Sequence, residues 1–265
     1  MANALILKPA TPAAVASSST AAGYRASNTA SDRKGLVWRS ATGSSSQTLT
    51  FDLGEDTGVD SIILFGLYGA QASWQWAVDL ATDAQGNFTG SYWSGSAEDL
   101  LAGSAMPADG LGKALWQAPA GAPAAARYVR LNFSGLASAA VEVSRAVIGA
   151  KFQPARNYRF GAALGVRPLG TLDFSIRGVV LRRRGVKLRG IGLSFFHVHR
   201  DELEEQLQPL LEWAGNDEFL AVVTDPAAHE QRQSRIYGGF LTGNIGSIFA
   251  RPGGFQAEIN LVSLF

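Results

Sequence analysis

The 265-residue chain contains no cysteine. Disulfide staples and thiolate metal sites are excluded, and their absence favours folding in a reducing cytosol. Only three histidines occur, His197, His199 and His229, and none lies in an HExxH pattern. Charged residues make up 17% of the chain, yet the 46% hydrophobic content is too high for a disordered one. No apolar stretch approaches the roughly 20 residues of a membrane span. The N-terminus has no basic start, and its apolar run is too short for a signal peptide. Membrane insertion and classical export are therefore not expected. Phosphate-loop, dinucleotide and nucleophile-elbow signatures are missing as well.

What the chain does have is glycine (30), tryptophan (6) and many short apolar segments. At roughly 100–200 residues per domain, one large or two moderate domains fit the length. Near Lys151 the Ala/Ser/Gly-rich first part gives way to Arg-rich sequence, which sets domains at 1–150 and 151–265. In the first, residues 5–7, 47–53, 61–65, 74–80, 128–133 and 141–145 read as strands. Residues 47–53 and 74–80 alternate, with Trp74, Trp76, Val78 and Leu80 on one face. Residues 83–86 read as a turn, and 97–103 as a short helix. In the second, residues 172–176, 186–196, 219–224, 235–241, 244–250 and 255–264 read as strands. Residues 201–213 read as a helix, with Asp201 as cap, Glu204 completing a capping box and Gly215 as stop. Leu203, Leu207, Leu210 and Leu211 form its apolar face. Pro209 should kink that helix or divide it. The fold class expected is mostly β: an N-terminal jelly-roll-like β-sandwich, then a C-terminal β-sandwich or barrel with one flanking helix.

The net charge of +1 hides a strong segregation. Residues 1–150 hold 9 basic and 11 acidic side chains, a net of −2. Residues 151–199 hold 10 basic and 1 acidic, a net of +9. Residues 200–235 hold 3 basic and 9 acidic, a net of −6. One reading is self-association, and the other is that the blocks neutralise each other within one domain. The densest basic run holds Arg182, Arg183, Arg184, Lys187 and Arg189. It lacks the interleaved aromatics of single-strand binders, and alternation along a strand splits it between two faces. A protein contact is favoured over nucleic acid. With Glu202 and Glu205 these residues form the candidate assembly interface.

His197 and His199 stand two apart on one expected strand face, but no third ligand accompanies them, so no metal and no cofactor are expected. Glu202, Glu204, Glu205 and Glu212 read as the polar side of an amphipathic helix, not as the paired carboxylates of a glycosidase. No convincing general base or nucleophile emerges, and the protein is read as a binding and assembling one, not an enzyme. Trp74 and Trp76 read as sandwich core. Tyr92 and Trp93, beyond the turn at Gly86 and Asn87, read as exposed aromatics suited to stacking on sugar faces.

Several ordered phrases in residues 20–150 resemble the discoidin, or coagulation-factor C-type, galactose-binding-like domain. They are YRASNTASDRKGLVW at 24–38, QTLTFDLG at 47–54, TDAQGNF at 82–88, ARYVRL at 126–131 and VEVSRAVIG at 141–149. The chain departs from that family in lacking its terminal cysteines and in a long insertion at 94–119. The resemblance implies a non-catalytic sandwich whose loops at one end bind glycans, lipids or proteins. Here these loops are residues 27–34, 41–46 and 67–73. Asn28, Asp32, Arg33, Lys34 and Tyr68 on them, with Tyr92 and Trp93, are the candidate ligand-binding residues.

Residues 151–265 are similar, more faintly, to a tail-tube or distal-tail β-domain of long-tailed bacteriophages. That resemblance implies a hexameric or trimeric homo-oligomeric ring with other tail proteins (tube, hub, tape measure) as partners. Together the two imply a structural minor tail protein of a virion tail tip. It would be assembled in the bacterial host cytoplasm and carry a module for a host surface glycan. The alternatives are a free-standing lectin-like protein, or the accessory part of a carbohydrate-active enzyme.

Overall fold

The computed structural model describes residues 2–243, 246–251 and 254–265, with the backbone alone for 249–251. The chain divides into two compact units, Met1–Gln153 with Ala221–Ile236, and Pro154–Leu220 with Tyr237–Phe265. The stretch 221–236 thus returns to the first unit. Ala221, Val222 and Val223 pair there with Leu7, Ile6 and Leu5. Gln233, fully buried, accepts a hydrogen bond from the Lys113 amide (2.8 Å).

The strands of the first unit run β1 (Leu5–Leu7), β2 (Ala14–Ser17), β3 (Trp38–Arg39), β4 (Gln47–Gly58), β5 (Ser61–Tyr68), β6 (Gln75–Ala81), β7 (Trp93–Ser94), β8 (Glu98–Asp99), β9 (Leu111–Gln117), β10 (Ala125–Ser134), β11 (Glu142–Val143), β12 (Arg145–Gly149) and β13 (Lys151–Phe152). One antiparallel sheet has the order β2-β4-β10-β6-β7, with β8 also on β6. A second has the order β12-β5-β9, and β3 pairs with β11. Alternation on β4, β6 and β10 turns Leu49, Phe51, Trp76, Val78, Val129 and Leu131 to one face. These side chains pack in a single core with Ile62, Leu64, Ala114, Trp116 and Ile148 of the other sheet. The unit is a β-sandwich, and the period-2 pattern in the sequence is the physical cause of its layering.

Two expectations fail here. Residues 97–103 form no helix, because β8 pairs Glu98 with Trp76 and Asp99 with Gln75, and the Leu100 amide bonds the Trp74 carbonyl (2.9 Å). The stretch 94–119 is not a simple insertion, because it contains β9, which pairs along β5 from Ser61 to Tyr68. A bulge at Gly66 interrupts that ladder, with φ +69. The chain needs glycine there, since a Cβ would meet the Ser144 Oγ at 2.2 Å.

The second unit is also mostly antiparallel. Its strands are β14 (Ala163–Pro168), β15 (Thr171–Phe174), β16 (Val180–Arg183), β17 (Lys187–Val198), β18 (Phe219–Val223), β19 (Ile236–Leu241), β20 (Gly246–Arg251) and β21 (Gly254–Ser263), the ends of β18 and β19 belonging to the first unit. Strand β21 lies between β17 and β19 and also pairs with β20. Strand β14 lies outside β17, while β15 and β16 pair only with each other. Residues 244 and 245 of the expected strand 244–250 lie outside the described residues.

The expected helix is one run of three segments, Arg200–Glu202, Leu203–Leu207 and Gln208–Ala214, the middle one a π-helix. The widened turn precedes Pro209 and takes up its missing N–H, so the helix is not cut in two. Asp201 is not the cap. His199 holds that position without a side-chain hydrogen bond, and Glu204 instead accepts from Arg200 Nε (2.7 Å). Gly215 ends the helix, as expected, with φ +45.

Candidate functional site

At one end of the sandwich, the turns around β3, β5 and β11 surround an open cleft of about 580 Å³. Its walls include Arg39, Ser40, Tyr68, Trp74, Ala140 and Glu142. Arg39 and Glu142 are register partners across β3 and β11. Cross-strand pairing therefore brings the two side chains together on one face. Nε and Nη2 of Arg39 both donate to Oε2 of Glu142, at 2.8 and 2.5 Å. Among the described residues, neither Arg39 Nη1 nor Glu142 Oε1 makes a hydrogen bond. A donor and an acceptor thus stand side by side in the cleft wall. The guanidinium also lies over the Tyr24 ring, 4.8 Å from its centroid. Its bond to the Glu142 carboxylate holds the Arg39 pKa above the usual arginine value.

The aromatic content of the cleft comes from Tyr68 and Trp74. Tyr68, last residue of β5, is 59% exposed. Trp74 is buried, and its indole Nε1 has no hydrogen-bond partner among the described residues. An orphaned buried donor on a cleft-wall residue is unusual.

Backbone bonds pin the surrounding loops. The Gly43 amide donates to Ser138 O (3.0 Å) and the Leu136 amide to Ser45 O (3.2 Å). Ser18 and Ser19 hydroxyls both donate to Gln47 Oε1, at 2.7 and 2.6 Å, and Gln47 Nε2 donates to Ala41 O (3.3 Å). Ala137 and Ser138, beside the cleft, hold left-handed backbone at φ 45 and φ 71. Non-glycine residues pay for that conformation, and such strain collects at binding sites. These bonds tie the loops around the cleft to one another and to β4.

The expected ligand-binding residues do not converge. Tyr68 lines the cleft. Asn28 Nδ2 donates to Val37 O (2.8 Å) and closes the loop behind it. Asp32 lies 3.0 Å from the buried Arg145 guanidinium. Lys34 Nζ is 3.9 Å from Asp109, and Arg33 is exposed. Tyr92 and Trp93 sit elsewhere, by the edge of the larger sheet. Arg130 stacks on Phe88 (4.1 Å) and Tyr92 (5.1 Å), donates to the Tyr92 hydroxyl (2.9 Å) and pairs with Asp79 (2.7 Å). Asp79 also accepts from Ser94 and Asn132. That cluster satisfies itself. Trp93 is half-buried, 6.1 Å from Trp116. Arg39, Glu142 and Trp74 went unnamed as ligand contacts in the sequence reading. The signal for Trp74 pointed to core, and Arg39 and Glu142 are 103 residues apart.

A second cleft, of about 470 Å³, includes Glu98, Asp99, His229, Glu230 and Arg232. Burial raises the Glu98 pKa, and the Arg232 side chain is tied to Ala102 O (2.5 Å) and Pro226 O (3.3 Å). Among the described residues, no group of three or more His, Asp or Glu is arranged to hold a metal ion. His197 and His199 share no strand face, because β17 bulges between Phe195 and Val198 and ends there. Arg182 and Arg183 lie on β16, Arg184 follows it, and Lys187 and Arg189 open β17. Arg189 lies over the Tyr237 ring (4.3 Å). Glu202 accepts from the Ala155 amide (2.8 Å), and Glu205 is exposed.

No protein-family model and no curated protein matches the chain. Among solved structures, it is similar to chitosan-binding module 1 of a chitosanase/glucanase from Paenibacillus sp. IK-5, at 19% identity and TM-score 0.39, over 53% of this chain and 97% of that one. It is similar to the CBM32 of AlyQ in complex with 4,5-unsaturated mannuronic acid, at 20% identity and TM-score 0.38, over 52% and 94%. A third is a fucose-binding module of Streptococcus pneumoniae, SpX-3, at 10% identity and TM-score 0.39, over 54% and 98%. Each of these matches covers about half of this chain.

Proposed function

We propose that the first unit is a carbohydrate-binding module and that its ligand occupies the cleft between Arg39, Tyr68 and Glu142. The observation that carries this reading is the free Arg39 Nη1 beside the free Glu142 Oε1, next to an exposed tyrosine ring. A donor and an acceptor side by side match two neighbouring hydroxyls of a sugar, each of which both gives and takes a hydrogen bond. The ring offers an apolar plane to the C–H face of the same sugar. Loops held by backbone bonds lower the ordering cost of binding. The unit binds without turnover in this reading, either by itself or as the accessory part of a carbohydrate-active enzyme. A glycan array with the full chain, followed by calorimetry on the best ligand, tests it. Tyr68→Ala is expected to weaken binding about tenfold, on the order of 1–2 kcal/mol of lost contact. An array without signal, or unchanged affinity in Tyr68→Ala, contradicts it.

A second reading adds assembly in a phage tail tip. Charge segregation and the exposed hairpins of the second unit support it. Immunogold labelling of intact virions tests it. Label at the tail tip supports the role, and unlabelled tails oppose it.

A further inference from the structure

Among the described residues, eleven of the sixteen exposed large hydrophobic side chains lie between 160 and 186. Phe160 and Ile176 are fully exposed, and Leu164, Leu172, Phe174 and Val186 are each more than 60% exposed. The segment is one long hairpin arm whose ladder breaks once, next to the bond from the Leu169 amide to Val186 O (2.9 Å). Strand β14 pairs with the first half of β17, and β15 pairs with β16 alone. All eight residues of β15 and β16 are exposed, so neither face of that hairpin is covered. A two-stranded hairpin with both faces in water is marginal at best. Contiguous apolar surface of this kind marks an interaction site. Register gives the arm a polarity. Leu172 faces Arg182 across the pair and Phe174 faces Val180, so three apolar side chains share a face with one guanidinium.

The arm is also strongly basic. Residues 160–187 hold six Arg or Lys and a single acid, Asp173. The complementary surface exists on the same chain. Residues 200–218 hold seven Asp or Glu and one Arg. Asp201, Glu204, Glu205, Glu212, Asp217 and Glu218 are all exposed. We propose that the arm of one copy docks on the acidic helix 200–214 of a second copy. The exposed acidic counterpart is carried by this chain itself, and that is the ground for taking a second copy as the occupant. The contact is heterologous, arm to helix, so each copy keeps a free arm at one end and a free helix at the other. Such contacts propagate until they close a ring. This rests on the assembly reading of the second unit and is independent of glycan binding by the first.

The test is light scattering and native mass spectrometry on the full chain at about 50 μM, ample for a standard-sized interface. The wild type is expected to form a closed oligomer that dissociates as salt rises. Reversing the arm (Arg182→Glu, Arg183→Glu, Arg184→Glu) is expected to give folded monomers by circular dichroism. Reversing the helix (Glu205→Lys, Glu212→Lys, Glu218→Lys) is expected to do the same. Mixing the two monomers is expected to restore assembly, since each reversed arm then meets a reversed helix. A monomeric wild type, an oligomer indifferent to the reversals, or a mixture that stays monomeric overturns the proposal. Vesicle or tail-protein binding by a monomeric wild type assigns the arm to that occupant and overturns it too. Sugar titration of the arm-reversed monomer reads the first unit separately: lost sugar binding leaves this proposal standing.

Discussion

Arg127 bonds Asp52 through Nε (2.8 Å) and Nη2 (3.1 Å), and the bond holds the Asp52 carboxyl below the usual aspartate range. A lowered folded-state pKa contributes stability that is present above the unfolded value, near pH 4, and is lost as pH falls through the folded value. Asp52→Asn is therefore expected to lower stability at neutral pH and to flatten its loss in acid, as urea melts from pH 7 to pH 2 report. An equally steep acid loss in the variant contradicts this. Gln233 gives a sharper test. Its Oε1 accepts from the Lys113 amide (2.8 Å), and its Nε2 donates to Gly103 O (2.5 Å) and Ala105 O (3.2 Å), all around a fully buried side chain. Gln233→Ala strands three backbone groups and is expected to cost about 2–4 kcal/mol in denaturant melts; a loss below about 1 kcal/mol is inconsistent with this role. Sequence distance explains why such residues were hard to read. Tyr68 was legible because an aromatic on a discoidin-like loop stands out locally. Arg39 becomes a site residue only when β3 meets β11, a pairing that no local pattern announces.

At the scale of elements, alternation made β4 and β6 legible, since it places Leu49, Phe51, Trp76 and Val78 in the core. Strand β9 was missed because all five of its central residues are buried, one of them Lys113. A lysine in a short strand reads as a solvent position. Here its Nζ donates to Ile236 O (2.8 Å) instead. In the hairpin β15–β16 the expected strand 172–176 is found over Thr171–Phe174, and its residues are exposed on both faces. The π-turn before Pro209 could not be told from a kink, because the sequence gives the missing N–H but not how the backbone absorbs it. Gly66 carries the prediction at this scale. Gly66→Ala forces a Cβ into Ser144 on a backbone with φ +69, at the bulge that carries β5 toward Tyr68. It is expected to lower the melting temperature by several degrees, on the order of 2 kcal/mol. An unchanged melt means the bulge relaxes freely.

At the scale of the molecule, the proposed binding and the proposed assembly are assigned to different units. The first unit carries the open cleft and a near-neutral charge, a net of −2 over residues 1–150. The second carries the basic arm and the acidic helix. The composition shift lies near Lys151 and the first compact stretch runs to Gln153, whereas the return of residues 221–236 to the first unit rests on pairing between Ala221–Val223 and Leu5–Leu7, more than 200 residues apart. The central claim is that the first unit binds a sugar between Arg39, Tyr68 and Glu142. Its most direct measurement is an NMR titration of the labelled arm-reversed monomer with the best array ligand. The account predicts that amide shifts concentrate on residues 39–42, 68–69 and 139–142, around the cleft. Shifts gathered instead around Tyr92 and Trp93, or spread without focus, contradict it.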